Sequence, residues 1–151
     1  MPSIFHYAMS ATDQLIEDWL KERESLLVKL NELCSLRPFN STASTAMAIQ
    51  EFCEMLIDYV SRGHFTVFEQ MTYTLEIGHP NTPFATIMHM ISQTTTVAVD
   101  FNDKYQYCDD LSRFEYDLSK LAEQLAQRWG SEDDLLAHYR VAKTWSLSKI
   151  A

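Results

Sequence analysis

Glu76 and His79 stand three residues apart. Helical proteins build di-metal centres from two Glu-x-x-His motifs carried on different helices. Here the motif occurs once, and Gly78 and Pro80 make its segment a turn. His64 raises a second chemistry, phosphotransfer. A phosphotransfer histidine sits exposed in mid-helix with a lysine and a glycine after it, whereas Gly63 precedes His64 at an expected helix end. His6, His89 and His138 are isolated. Cys34, Cys53 and Cys108 are far apart and form no CxxC, so they read as reduced thiols at mostly apolar positions. Met47, Met55, Met71, Met88 and Met90 fall at core spacings, which favours packing over a soft-metal surface. Phosphate-binding loops, nucleophile elbows and zinc helices of the HExxH type have no counterpart. A metal-binding helical protein and a histidine phosphotransfer domain stay as alternatives. An enzyme is not expected, nor any cofactor.

Charge points elsewhere. The chain has 21 acidic and 12 basic residues, a net charge of −9. Phosphate contacts need a basic surface, so direct binding to nucleic acid is disfavoured. An acidic protein attracts basic partners and meets them faster at low salt. Eight acidic residues against three basic ones fall between Asp109 and Asp134, and Asp13, Glu17, Asp18, Glu22 and Glu24 lie on the first helix. Such residues are a solvated exterior or one wall of a site for a basic protein.

These groups must be positioned by helices. Three glycines and four prolines punctuate 151 residues, and few breakers at long intervals favour helix over strand. The first helix is expected from about Ala11 to Leu33, capped by Ser10 or Thr12, with Leu15, Trp19, Leu26, Leu30 and Leu33 on one face. The second runs from near Thr45 to Gly63, where a left-handed cap should turn the chain. Ile49, Phe52, Cys53, Leu56 and Val60 form its apolar stripe. A short helix, about Phe65 to Leu75, carries Phe65, Phe68, Met71 and Leu75. Residues 77–81 form a turn, and Thr82-Pro83 starts a helix that reaches about Tyr105. The run Thr94-Thr95-Thr96-Val97 lowers helix propensity and admits a bend there. A further helix opens at Asp109 or Asp110 and shows a heptad-like seam of Leu111, Phe114, Leu118, Leu121 and Leu125. It should stop at Gly130, with Ser131 and Asp134 capping a last helix from about Glu132 to Lys143. The expected fold is one all-α domain over residues 1–151, a bundle of four long helices with one or two short ones. The patterned segments carry charges throughout, so none spans a bilayer. The N-terminus MPSIFHYAMS lacks the regions of a secretory signal, and a cytoplasmic protein is expected.

One stretch is more specific than any of these patterns. The segment from Phe52 to Phe65, FCEMLIDYVSRGHF, closely resembles the Rsd/AlgQ family, whose motif reads approximately FCxxLVDYLSxGHF. The match continues through Val67, Phe68 and Glu69. Upstream, Asp18-Trp19-Leu20, Arg23 and Leu26-Leu27-Val28 resemble the family's DRWL…R…LL stretch. The similarity covers about residues 10–76; beyond Pro80 it is mainly one of helical layout. The resemblance implies an anti-sigma regulator. It would bind the C-terminal helix-turn-helix domain of the primary sigma factor and block its promoter and core polymerase contacts, favouring alternative sigma factors in stationary phase. It implies a monomer forming a 1:1 complex, and a second partner, the phosphocarrier protein HPr. Carried over by position, it implies that Asp58, Ser61 and Phe65 bind the partner at the corner after the second helix. Trp19, Asp18 and Arg23 would do so on the first, although Trp19 also lies on the core stripe.

Overall fold

The computed structural model describes residues 10–78, 83–107 and 109–148; the side chains at 64, 65, 76–78 and 145–148 are not among those described. Five α-helices and one π-helical segment make up the regular structure of the described residues, with no strand. α1 spans Ala11–Cys34, and the Ser10 hydroxyl caps it by accepting from the Asp13 amide at 3.1 Å. Asp13 in the first turn complements the helix dipole. The next loop holds a cis Arg37–Pro38 bond. Thr42 then caps α2, Ala43–Arg62, through the Thr45 amide. This start lies two residues before the one expected.

The largest difference from expectation is at Gly63. The chain does not turn there. Gly63 has φ −56° and ψ −53°, ordinary right-handed helix, and the backbone continues as a π-helical segment, Gly63–Val67, into α3, Phe68–Gly78. The Phe68 amide donates to the Gly63 carbonyl five residues back, one residue more than in an α-helix. The physical reason for glycine is space. A Cβ at position 63 would stand 3.1 Å from Trp19 Nε1 and 3.2 Å from Phe68 Cζ. The buried set continues through the segment, with Tyr59, Val60, Val67, Phe68, Met71 and Leu75 all inside. The short helix expected from Phe65 therefore starts at Phe68 as the continuation of a longer helical run. Of the turn expected at 77–81, Ile77 and Gly78 belong to α3, and 79–81 lie outside the described residues.

α4 spans Phe84–Tyr105, ending where expected. Pro83 stands at its cap rather than at its first helical position, and Thr82 is outside the described residues. The threonine run does not interrupt it. Thr94 and Thr95 direct their hydroxyls to the Ile91 carbonyl at 2.6 and 3.2 Å, and Thr96 to Ser92 at 3.3 Å. A threonine hydroxyl can bond a carbonyl three or four residues back without leaving the helix. Asp110 does not open the next helix; its carboxylate accepts from the Ser112 amide at 3.1 Å in a turn, and α5 starts at Phe114. α5 then runs unbroken to Ser148, 35 residues. Gly130 lies in its interior, and a Cβ there would meet nothing within 4 Å. Ser131 and Asp134 are thus mid-helix residues, and the two expected helices are one.

The core is built from the inner faces of all five helices. Residues 114, 118, 121, 125, 128, 132, 135, 139 and 142 of α5 are buried at alternating steps of three and four. α1 and α2 pack side by side. Two ion pairs fix their sense: Glu22 meets Arg62 at 2.9 Å, and Lys29 meets Glu51 at 2.7 Å, so the helices run antiparallel. Of the cysteines, Cys34 and Cys53 are free thiols, with Cys53 buried and its thiol pushed up to about 12 by that burial; Cys108 is outside the described residues.

Candidate functional site

α1 and α2 place their charged residues along a shared outer seam. Ile16, Trp19, Leu26, Leu30 and Leu33 turn α1 inward, which leaves Asp18 and Glu22, one turn apart, beside α2. Ile49, Phe52, Cys53, Leu56, Tyr59 and Val60 turn α2 inward, which leaves Asp58 and Arg62 outside. Antiparallel packing brings the two pairs together.

Glu22 is the centre of the group. One carboxylate oxygen holds Arg62, while the other is buried without a hydrogen-bond partner among the described residues. Burial pushes the Glu22 carboxyl above its ordinary value; Arg62 opposes that, and Asp58 and Asp18 add to it. Glu22 thus feels the charges of Asp18 and Asp58 as well as that of the Arg62 guanidinium. Asp18 accepts from Gln14 at 3.0 Å and is half-buried, while Asp58 is exposed. Neither forms an ion pair among the described residues, so both leave acceptors open to a cationic or hydrogen-bonding partner. Ser61, half-buried, lies three residues after Asp58.

The other residues singled out from the sequence are placed differently. Trp19 is fully buried, stacked on Tyr59 at 6.1 Å and 5° and edge-on to Phe68 at 5.5 Å. Its indole N–H has no hydrogen-bond partner among the described residues. Trp19 thus supports the seam from beneath. Arg23 crosses to α5, donating to Asp133 at 2.8 Å and facing Glu132 at 3.6 Å, with its guanidinium 5.9 Å from the Trp19 ring centre. Phe65 belongs by its backbone to the π segment, within a few residues of Asp58 and Ser61, and its side chain is outside those described. The structure therefore gathers Asp18 and Asp58 on one surface, has Ser61 half-exposed on the following turn of α2, and turns Trp19 and Arg23 inward or toward α5.

Sequence reasoning missed what lies under this surface. Arg128 and Glu132, both fully buried, form a 2.9 Å ion pair on α5, and the Tyr59 hydroxyl donates to Glu132. Burial pushes the Glu132 carboxyl up, with Arg128 the first of the groups opposing it. Both residues continue the α5 seam of Phe114, Leu118, Leu121 and Leu125 at the same spacing, and this was the available signal. It is hidden by their charge and by a glycine between them.

No group of three or more His, Cys, Asp or Glu able to hold a metal occurs among the described residues, and no described helix is long and apolar enough to cross a membrane. The profile of the family described as "Regulator of RNA polymerase sigma(70) subunit, Rsd/AlgQ" matches residues 5–140. A Yersinia pseudotuberculosis protein named Regulator of sigma D is 28% identical over 151 residues, covering 95% of this chain and 88% of its own. Its namesake in Yersinia enterocolitica is 27% identical over 149 residues, covering 93% and 88%. One from Salmonella arizonae is 28% identical over 134 residues, covering 85% and 83%. No solved structure matches the chain.

Proposed function

The chain belongs to the Rsd/AlgQ family of sigma(70) regulators, and on that premise we propose that it is a non-catalytic anti-sigma protein. Its target is the C-terminal helix-turn-helix domain of the primary sigma factor. Occupying that domain blocks its promoter and core polymerase contacts and favours alternative sigma factors in stationary phase. The protein acts in the cytoplasm as one helical-bundle domain, 1:1 with its target.

The observation that carries this reading is the cluster of Asp18, Glu22 and Asp58 on the seam of α1 and α2, within the segments that match the family motif. A helix-turn-helix domain is basic where it faces DNA. An acidic face on a chain of net charge −9 steers such a domain toward it. Asp58 accepts from a basic side chain or a backbone amide, and Asp18 supplies a second acceptor. Ser61 permits close approach and one hydrogen bond. Phe65 is the apolar anchor, the type of residue that dominates affinity at an interface centre. Trp19 and Arg23 contribute from below by holding the seam in place.

Calorimetric titration with the isolated sigma C-terminal domain tests this. Binding at a stoichiometry of one, weakening as salt rises, is expected. Absence of binding at low salt sinks the proposal.

A further inference from the structure

The seam that faces the partner is exposed, but the groups that fix it are not. Tyr59 follows Asp58 directly and points to the buried side of α2, where its hydroxyl meets Glu132. Glu132 also accepts from Arg128 Nε at 2.9 Å and faces Arg23 of α1 at 3.6 Å. Arg128 directs Nη1 to α4, at 2.6 Å from the Thr95 hydroxyl, 3.2 Å from that of Thr94 and 3.3 Å from the Ile91 carbonyl. One ion pair therefore touches four helices. It is also the only ion pair among the described residues with both side chains at 0% exposure.

Such a pair is weak evidence for stability, because apolar side chains of similar volume often serve as well or better. What directional bonds add is a fixed register. Register is at stake beside this network. The Arg128 guanidinium lies 5.7 Å from the ring centre of Tyr59 and 5.9 Å from that of Phe68, residues that bracket the π segment. Phe68 packs edge-on against Trp19, and both rings close on Gly63. A π turn competes with ordinary α-helical register. A shift of one residue there rotates every later side chain of α3 by about 100°.

We infer that Tyr59, Arg128 and Glu132 are positioning residues for the partner face. They hold Gly63–Val67 in the π register, and the Tyr59 bond to Glu132 anchors to α5 the last turn of α2, which carries Asp58 and Ser61. The inference deepens the sigma-binding reading and rests on it.

Two variants test it. Tyr59→Phe removes one hydroxyl. The triple variant Tyr59→Phe/Arg128→Met/Glu132→Leu replaces the whole network with apolar side chains. Urea stability, amide exchange at Gly63–Val67 in the free protein, and association and dissociation rates with the sigma C-terminal domain are measured for each. The triple variant is expected to keep wild-type stability or exceed it, exchange at least tenfold faster in the π segment, and bind at least tenfold more weakly through faster dissociation. Tyr59→Phe should move both readouts the same way, about threefold. Stable variants with wild-type exchange and wild-type affinity overturn the inference and leave the network merely structural. If the triple variant does not fold, Tyr59→Phe decides on the same readouts. If the unaltered protein does not bind the sigma domain, the functional reading falls, and exchange at Gly63–Val67 alone decides whether the network holds the π register.

Discussion

Replacing each of two glycines by alanine should move stability in opposite directions. Gly130 sits inside α5 in a helical conformation, and an added methyl meets nothing within 4 Å. Alanine costs less backbone entropy than glycine in a helix, by about 0.5–1 kcal/mol. Gly130→Ala should therefore stabilise by about that amount. Gly63 is also helical, so the same gain applies, but its methyl would stand 3.1 Å from Trp19 Nε1 and 3.2 Å from Phe68 Cζ. Both rings are essentially fully buried and packed on each other, so neither swings aside freely. Overpacking of this kind costs about 1–3 kcal/mol, which outweighs the propensity gain and leaves a net loss of about 1 kcal/mol. For a chain of this size a change of 1 kcal/mol moves Tm by about 2–4 °C. Thermal unfolding followed by circular dichroism should show Gly130→Ala higher and Gly63→Ala lower than the unaltered protein. A drop for Gly130→Ala would refute the reasoning, because it is the result for a glycine that caps two separate helices in left-handed conformation.

Other expectations rest on the same geometry. Glu132→Gln leaves the Arg128 guanidinium buried beside a neutral amide, which should cost about 3–5 kcal/mol in urea unfolding. A loss below about 1 kcal/mol would show that Arg128 finds another partner. Asp117 accepts from Lys104 at 2.7 Å and from Tyr105, and these bonds, Lys104 first, hold its carboxyl below the ordinary 3.8. A depressed carboxylate stabilises above its unfolded pKa and loses that contribution as pH falls through the folded one. Asp117→Asn should thus cost about 0.5–1 kcal/mol at pH 7 and progressively less below about pH 4. An equal loss at pH 7 and pH 2.5 would refute that assignment. Phe65→Ala should weaken binding to the sigma domain by about 2 kcal/mol without loss of helicity. Unchanged affinity in a folded variant would remove Phe65 from the interface.

The all-helical class was legible because charged and apolar residues alternate at helical spacing over long stretches with few breakers. Ser10, Thr42 and the end of α4 at Tyr105 agree with cap chemistry and periodicity or lie close to what these predict. The misreadings share one cause. Gly63 and Gly130 read as helix ends in the sequence, yet both are right-handed helix. Glycine marks a stop when the backbone needs a positive φ, but it also marks close approach, as at Gly63, or nothing steric at all, as at Gly130. Local sequence does not separate these cases, because the atoms that decide, Trp19 and Phe68, are set by tertiary packing. The motif singled out Asp18 and Asp58 as candidates. Glu22 joins them only when antiparallel packing sets Arg62 beside it. Arg128 and Glu132 were hidden because buried positions are expected to be apolar, and only the uninterrupted spacing of α5 reveals them.

The central claim is that the seam of α1 and α2 and the π segment after it form the sigma-binding face. Amide exchange of this protein with and without saturating sigma C-terminal domain tests it most directly. Protection confined to residues around Asp18–Arg23 and Asp58–Val67 is the expected result. Protection confined to α4 and the N-terminal half of α5, around Lys104 to Lys120, with none at Asp18 or Asp58, would contradict it.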